Sequence, residues 1–169
     1  MILYRGTNID IQSIDLAVCR PYKDFGRGFY TTEVLDQAKK TAKRVSKIYG
    51  GKPIVNMYEL ADNCMETKGL KTLDFGRIPS ERWAVFVMNN RSRTFSNFGS
   101  ADCNFDCKYD IVAGPIADDD MAVLFRQYQS NLISLQALLN GMKFRETTRQ
   151  YSFHTEKAIS LLRKAGALL

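Results

Sequence analysis

A single histidine, His154, and four cysteines, Cys19, Cys64, Cys103 and Cys107, occur in 169 residues. That scarcity argues against a zinc site, because Cys103 and Cys107 stand four apart while the other soft ligands are scattered. Without a secretion signal, four thiols in a chain of this length are expected to be reduced rather than paired in a disulfide framework. No apolar run approaches the length needed to cross a bilayer, and the N-terminus lacks a basic segment followed by an apolar one. The expectation is a cytoplasmic protein with no membrane partner. Internal repeats, low-complexity tracts and linkers are also missing, which leaves one domain over residues 1–169.

The composition is that of a chain able to build a core, with 45% hydrophobic and 25% charged residues. A net charge of +6 favours anionic partners such as nucleotides, nucleic acid or an acidic protein. Its main local source is Lys39, Lys40, Lys43, Arg44 and Lys47, whose spacing of three and four places them along one helical face. A solvated outer face is the favoured reading of that run, ahead of a nucleic-acid stripe.

The chain is organised around Asp24 to Thr32, which reads Asp-Phe-Gly-Arg-Gly-Phe-Tyr-Thr-Thr. Gly26 and Gly28 permit positive φ or close backbone approach, and a short aromatic strand follows them. In that strand Phe29 and Thr31 share one face and Tyr30 and Thr32 the other, so one aromatic enters the core and the other a cleft. Further strands are read at Met1 to Thr7, which delivers Arg5 and Gly6 to its tip, and at Pro53 to Leu60, Leu70 to Phe75, Tyr109 to Ala113 and Arg149 to His154. Asn8 to Leu16 follows neither the helical nor the strand period.

Helices are expected from Glu33 to Ile48, with Val34, Leu35, Ala38, Ala42, Val45 and Ile48 on one face and Gly50-Gly51 as the stop. Others start at Ser80, carrying Trp83, Phe86 and Val87 inward, near Asp118, and at Ser134. Thr155 is read as the cap of a last helix that buries Ala158, Ile159, Leu161 and Leu162. The acidic run Asp118, Asp119 and Asp120 suits a helix N-terminus and needs no metal. Arg91 to Lys108 is a long loop over a cleft. Strands that are not separated by full crossover helices argue for an α+β fold rather than a doubly wound parallel sheet.

Four stretches in this order, Leu3 to Thr7, Asp24 to Thr32, Tyr109 to Asp119 and Arg149 to Thr155, resemble an uncharacterised bacterial family of the ADP-ribosyltransferase superfamily. The resemblance implies an α+β fold of split antiparallel β-sheets that grip NAD, with a three-part signature drawn from three strands. Arg5 matches the first part, Tyr30 the second and Gln150 the third. Arg5 stands where histidine is commoner, and Gln150 where the best-known enzymes carry glutamate; Glu146 and Glu156 are the nearest carboxylates to it in sequence.

By the same resemblance Arg5, Gly6, Thr7, Asp24, Gly26, Gly28, Phe29, Tyr30 and Thr32 line the NAD site. Tyr30 would stack on the cationic nicotinamide ring, Gly6 would pair with its carboxamide, and Arg5 would meet a ribose hydroxyl or the pyrophosphate. The implied activity is mono-ADP-ribosylation of a protein or nucleic-acid acceptor, by the toxin of a toxin–antitoxin pair with a small antitoxin protein as partner. Two other readings stand beside it: a catalytically inactive NAD-binding or partner-binding module, and a basic nucleic-acid-binding domain.

Overall fold

Gly6 has no side chain, and that lets a helix lie directly on the strand that contains it. An added Cβ there would sit 2.0 Å from the Ala38 carbonyl oxygen and 2.7 Å from the Ala42 nitrogen. The computed structural model, which describes residues 1–143 and 148–169, is built outward from this contact. Strand β1 (Ile2–Thr7) and helix α1 (Leu35–Tyr49) form it, with β2 (Phe29–Thr32) between them in sequence. Ala38 and Ala42, one turn apart, are the residues of α1 that are fully buried. The expected apolar face is therefore narrower than its sequence pattern: Val34 and Ile48 are 41% and 63% exposed.

The chain continues through β3 (Ile54–Glu59), β4 (Thr72–Asp74), α2 (Glu81–Arg91), β5 (Ile111–Pro115), α3 (Asp119–Gln129), α4 (Leu135–Met142), β6 (Arg149–Phe153), α5 (Glu156–Ile159) and β7 (Arg163–Leu168). Ser80, Asp118, Ser134 and Thr155 each accept a backbone N–H at the start of α2, α3, α4 and α5. Each such cap contributes about 1 kcal/mol. Thr32 takes no such role for α1, whose N-cap is Val34; its hydroxyl accepts the Val34 N–H one residue too early. The last expected helix is shorter than its pattern implied. It ends at Ile159, and Arg163 to Leu168 leaves it to form an edge strand.

The fold is α+β, a seven-stranded mixed sheet in the order β4-β5-β6-β2-β1-β3-β7 with helices packed on it. The β4–β5 pair is parallel and the other pairs are antiparallel, so the sheet is not purely antiparallel as the resemblance implied. Its middle is thinly joined. β1 pairs with β3 at six positions and β2 with β6 at four, but β1 and β2 pair at Tyr4↔Thr32 alone.

Register decides which side chains share a face. Tyr4, Thr32, Gln150 and Gly114 form one row across β1, β2, β6 and β5; Tyr30, Ser152 and Val112 lie two residues along and so point the same way. That face carries a core of Phe25, Trp83, Phe86, Val87, Val112, Met121 and Leu138 beneath α2, α3 and α4. The opposite face carries Leu3, Phe29, Tyr58, Ile111, Tyr151 and Phe153. Ile11, Ile14 and Leu16, which follow no period in sequence, lie over this second core as an irregular strap.

Candidate functional site

The Asp24–Thr32 stretch folds back on itself as a closed turn. Gly26 takes φ +90°, and a Cβ on it would meet the Asn104 carbonyl oxygen at 2.9 Å; a Cβ on Gly28 would come within 2.6 Å of the His154 ring. Both glycines are required by the packing. The Tyr30 hydroxyl closes the turn, accepting the Phe25 N–H at 2.9 Å and donating to the Gly26 carbonyl at 2.7 Å. Burial raises its pKa well above the usual phenol value. Its ring stacks on Phe25 and meets the edge of His154, both at 6.3 Å between centroids. Phe29 is in the core and Tyr30 partly exposed on the other face, as the alternation of the strand requires.

Behind the turn lies a buried polar hub. Asp24 Oδ1 accepts from Arg91 Nε at 2.9 Å and Nη2 at 2.6 Å, while Oδ2 accepts from Gln150 Nε2 at 2.7 Å and the Ala117 N–H at 3.1 Å. Gln150 Nε2 also donates to the Pro115 carbonyl at 3.2 Å. The hub therefore ties the glycine turn to the end of α2, the β5–α3 connection and β6. Arg91 is the residue of this group that sequence reading missed, for its only local signal is a place in the last turn of a helix.

Arg5 lies on the opposite face from Tyr30 and Gln150. Its guanidinium sits over the Phe29 ring, 4.6 Å from the centroid, and Nη1 donates to the Tyr30 carbonyl at 2.8 Å. The three positions of the signature thus come from adjacent strands but do not project into one cleft: Arg5 reaches only the backbone of Tyr30. Its Nε is buried with no hydrogen-bond partner, as is the nearby Tyr58 hydroxyl. Among the described residues no carboxylate pairs with it. Burial lowers its pKa, opposed by the neighbouring Cys19 and Tyr58.

Other cations gather around it. Burial lowers the Lys23 pKa, Asp24 opposes that, and Arg5, Arg20 and Arg91 lower it further. Cys19 is raised by burial, against the pull of Arg5 and Arg27. The result is a cationic rim around the glycine turn.

The remaining positions do less than the sequence suggested. Gly6 faces α1 on its Cα side, so its missing Cβ is explained by helix packing. The Thr7 hydroxyl donates to Asn8 Oδ1 at 3.4 Å, and that of Thr32 to the Arg149 carbonyl at 3.2 Å. Asp118 caps α3 through the Met121 N–H. Glu156 heads α5, and Glu146 lies outside the described residues. A cavity of about 480 Å³ opens elsewhere, beside Met1, Glu59, Leu60 and Arg163.

The chain belongs to the family described as "Protein of unknown function (DUF3990)", whose model matches residues 1–163. Comparison with curated proteins and with solved structures returns no match.

Proposed function

We propose that the chain is an NAD-dependent mono-ADP-ribosyltransferase whose dinucleotide enters where β1 and β2 part. The observation that carries this reading is Arg5. Just past the single Tyr4↔Thr32 pairing its guanidinium, not the β1 backbone, satisfies the Tyr30 carbonyl, and its buried Nε has no acceptor and no carboxylate beside it. A half-buried cation with no counter-ion is costly, and the paired oxygens of a pyrophosphate suit the guanidinium fork. Arg20, Lys23 and Arg27 would hold the same charge from the rim.

In the reaction the bond between the ribose C1′ and the nicotinamide nitrogen breaks, and its electron pair leaves with neutral nicotinamide. C1′ then bonds an acceptor oxygen or nitrogen, whose proton passes to solvent. Positive charge develops on the ribose, and a preorganised negative dipole nearby lowers that barrier. Gln150 is neutral, but its Nε2 donates to the Asp24 carboxylate, which polarises the amide and leaves Oε1 the more negative end. In this reading the dinucleotide passes between β1 and β2 from the face of Arg5 to that of Gln150, where Asp24 and Gln150 together stand in for the glutamate.

The test is incubation with NAD and a lysate, reading released nicotinamide and the mass of ADP-ribose on protein or nucleic acid. Turnover that disappears in Arg5→Ala supports the proposal; folded protein that yields neither product overturns it. A second reading, NAD binding without turnover, is favoured by the neutrality of Gln150 and by the closed hydrogen bonds of Tyr30. Calorimetric NAD binding with no nicotinamide release would decide for it.

A further inference from the structure

Beyond the glycine turn, an exposed ridge alternates cations with aromatic rings. At the C-terminal end of α1, Tyr49 is 56% exposed, and Arg20 both stacks on its ring at 5.3 Å and donates to its hydroxyl at 2.6 Å. Two residues on, Tyr22 is 38% exposed with φ +57°, a conformation tolerated at some cost by a non-glycine residue. Arg93 stacks on that ring at 5.1 Å, and Phe105 meets it edge-on at 6.0 Å. Phe98, 49% exposed, packs on Phe105 at 5.1 Å. The ridge thus joins the end of α1 to the 91–108 loop.

Arg20, Lys23 and Arg93 make no ion pair with any described carboxylate, nor do Lys40, Lys43, Arg44 and Lys47 on the outer face of α1, which frame a shallow groove with Ile48. At about 1.5 Å per residue, Lys40 to Lys47 spans about 10 Å, comparable to the rise of about three stacked bases. A solvated helix face accounts for the lysines alone. It does not account for half-exposed aromatic rings that carry arginines with no carboxylate partner.

We propose that this ridge and the outer face of α1 bind single-stranded nucleic acid, with bases on Tyr22, Tyr49 and Phe98 and the phosphates on the lysines and arginines. Rings give a stacking platform that every base can use, and cations follow the backbone between them. An acidic protein would meet the charge but has little use for the exposed rings, and a duplex hides its base faces. The proposal does not depend on NAD chemistry, because it is read as binding alone.

The experiment is fluorescence anisotropy of the full chain with a labelled oligo(U) of about 20 nucleotides, against a duplex of equal length and polyglutamate as competitors. The expected result at about 50 mM salt is tighter binding to the single strand than to the duplex, weakening steeply as salt rises. Arg20→Gln with Arg93→Gln should weaken binding by about tenfold, and Tyr22→Asn by several-fold, asparagine being at ease with positive φ. Tyr49→Ser, on an exposed helix end, gives the same readout should Tyr22→Asn fail to fold. No binding at low salt, equal or better binding of the duplex, displacement by polyglutamate at equal charge, or indifference to loss of the rings would each overturn the proposal.

Discussion

Gln150 Nε2 lies 2.7 Å from Asp24 Oδ2, a contact between residues 126 apart in sequence that fixes β6 to the glycine turn. It sets the direction of the amide, for the carboxylate can only accept and Gln150 must present its nitrogen.

Replacement of Gln150 by glutamate follows from that direction. Two carboxylates would then meet where an amide now donates, and one would be forced to hold a proton. The introduced group has a folded pKa above its unfolded value. The penalty is therefore absent below the unfolded glutamate pKa of about 4.3 and grows as pH rises from there to the folded value, being complete above it. Gln150→Glu should cost about 2 kcal/mol at neutral pH and less in mild acid, while Gln150→Ala should cost about 1 kcal/mol at either. Urea midpoints at the two pH values check this, and a glutamate variant as stable as the parent at neutral pH would show that the pair is not formed.

A second prediction concerns Gly6. Its Cα faces the backbone of α1 with no room for a methyl group, since the obstructing atoms are the Ala38 carbonyl and the Ala42 nitrogen rather than a movable side chain. Gly6→Ala should destabilise by about 3 kcal/mol through overpacking. Gly69→Ala offers a contrast: its φ is +83° with nothing within 4 Å, so the cost there is backbone strain alone, about 1 kcal/mol. Equal losses in denaturant unfolding would mean that α1 does not lie on Gly6 in solution.

What the sequence made legible, and what it concealed, can be traced to range. The strands around Tyr4, Phe29, Val55, Val112 and Tyr151 carry β-branched or aromatic residues, and Ser80, Asp118 and Ser134 announce their helices by local capping. Arg163 to Leu168 has neither signal. It becomes a strand because it pairs with β3, where Arg163 meets Glu59 and Lys164 meets Asp10 from far upstream. The site fared similarly. Parity within one strand separates Tyr30 from Phe29, but placing Arg5 relative to Tyr30 requires the register between strands, which no local pattern encodes. The Asp24–Arg91 pair spans 67 residues and was equally out of reach.

His154 gives a pH-dependent prediction. Its Nδ1 lies 2.6 Å from the Arg27 carbonyl, which can only accept, so that nitrogen carries the proton; Nε2 faces Ser152 Oγ at 2.8 Å. Burial lowers its pKa from 6.5 to about 4, partly offset by the Arg27 carbonyl and Asp110. The folded pKa lies below the unfolded one, so the unfolded chain takes up the proton first. This stability is whole above the unfolded pKa and is lost as pH falls toward the folded value. Between about pH 7 and about pH 5 the loss should reach about 2 kcal/mol. Because the chain has one histidine, its imidazole resonances can be followed alone; a midpoint near the unfolded value would refute the burial.

The sharpest separation of stability from binding should come at Arg5. In a purely structural role its guanidinium would be expected to satisfy its donors, yet Nε is buried without a partner while Nη1 makes one bond to a carbonyl. An apolar side chain of similar length would keep the contact with Phe29 and remove a half-buried cation, at the loss of the single bond to Tyr30. Arg5→Met should therefore leave the denaturation midpoint within about 1 kcal/mol of the parent, whereas NAD affinity should fall by about tenfold or more with the loss of a charge-assisted phosphate contact. Arg5→Lys keeps the charge without the fork and should fall between them. A methionine variant that unfolds readily, or one that binds NAD as the parent does, would assign Arg5 to holding β1 against β2 and remove it from any ligand site.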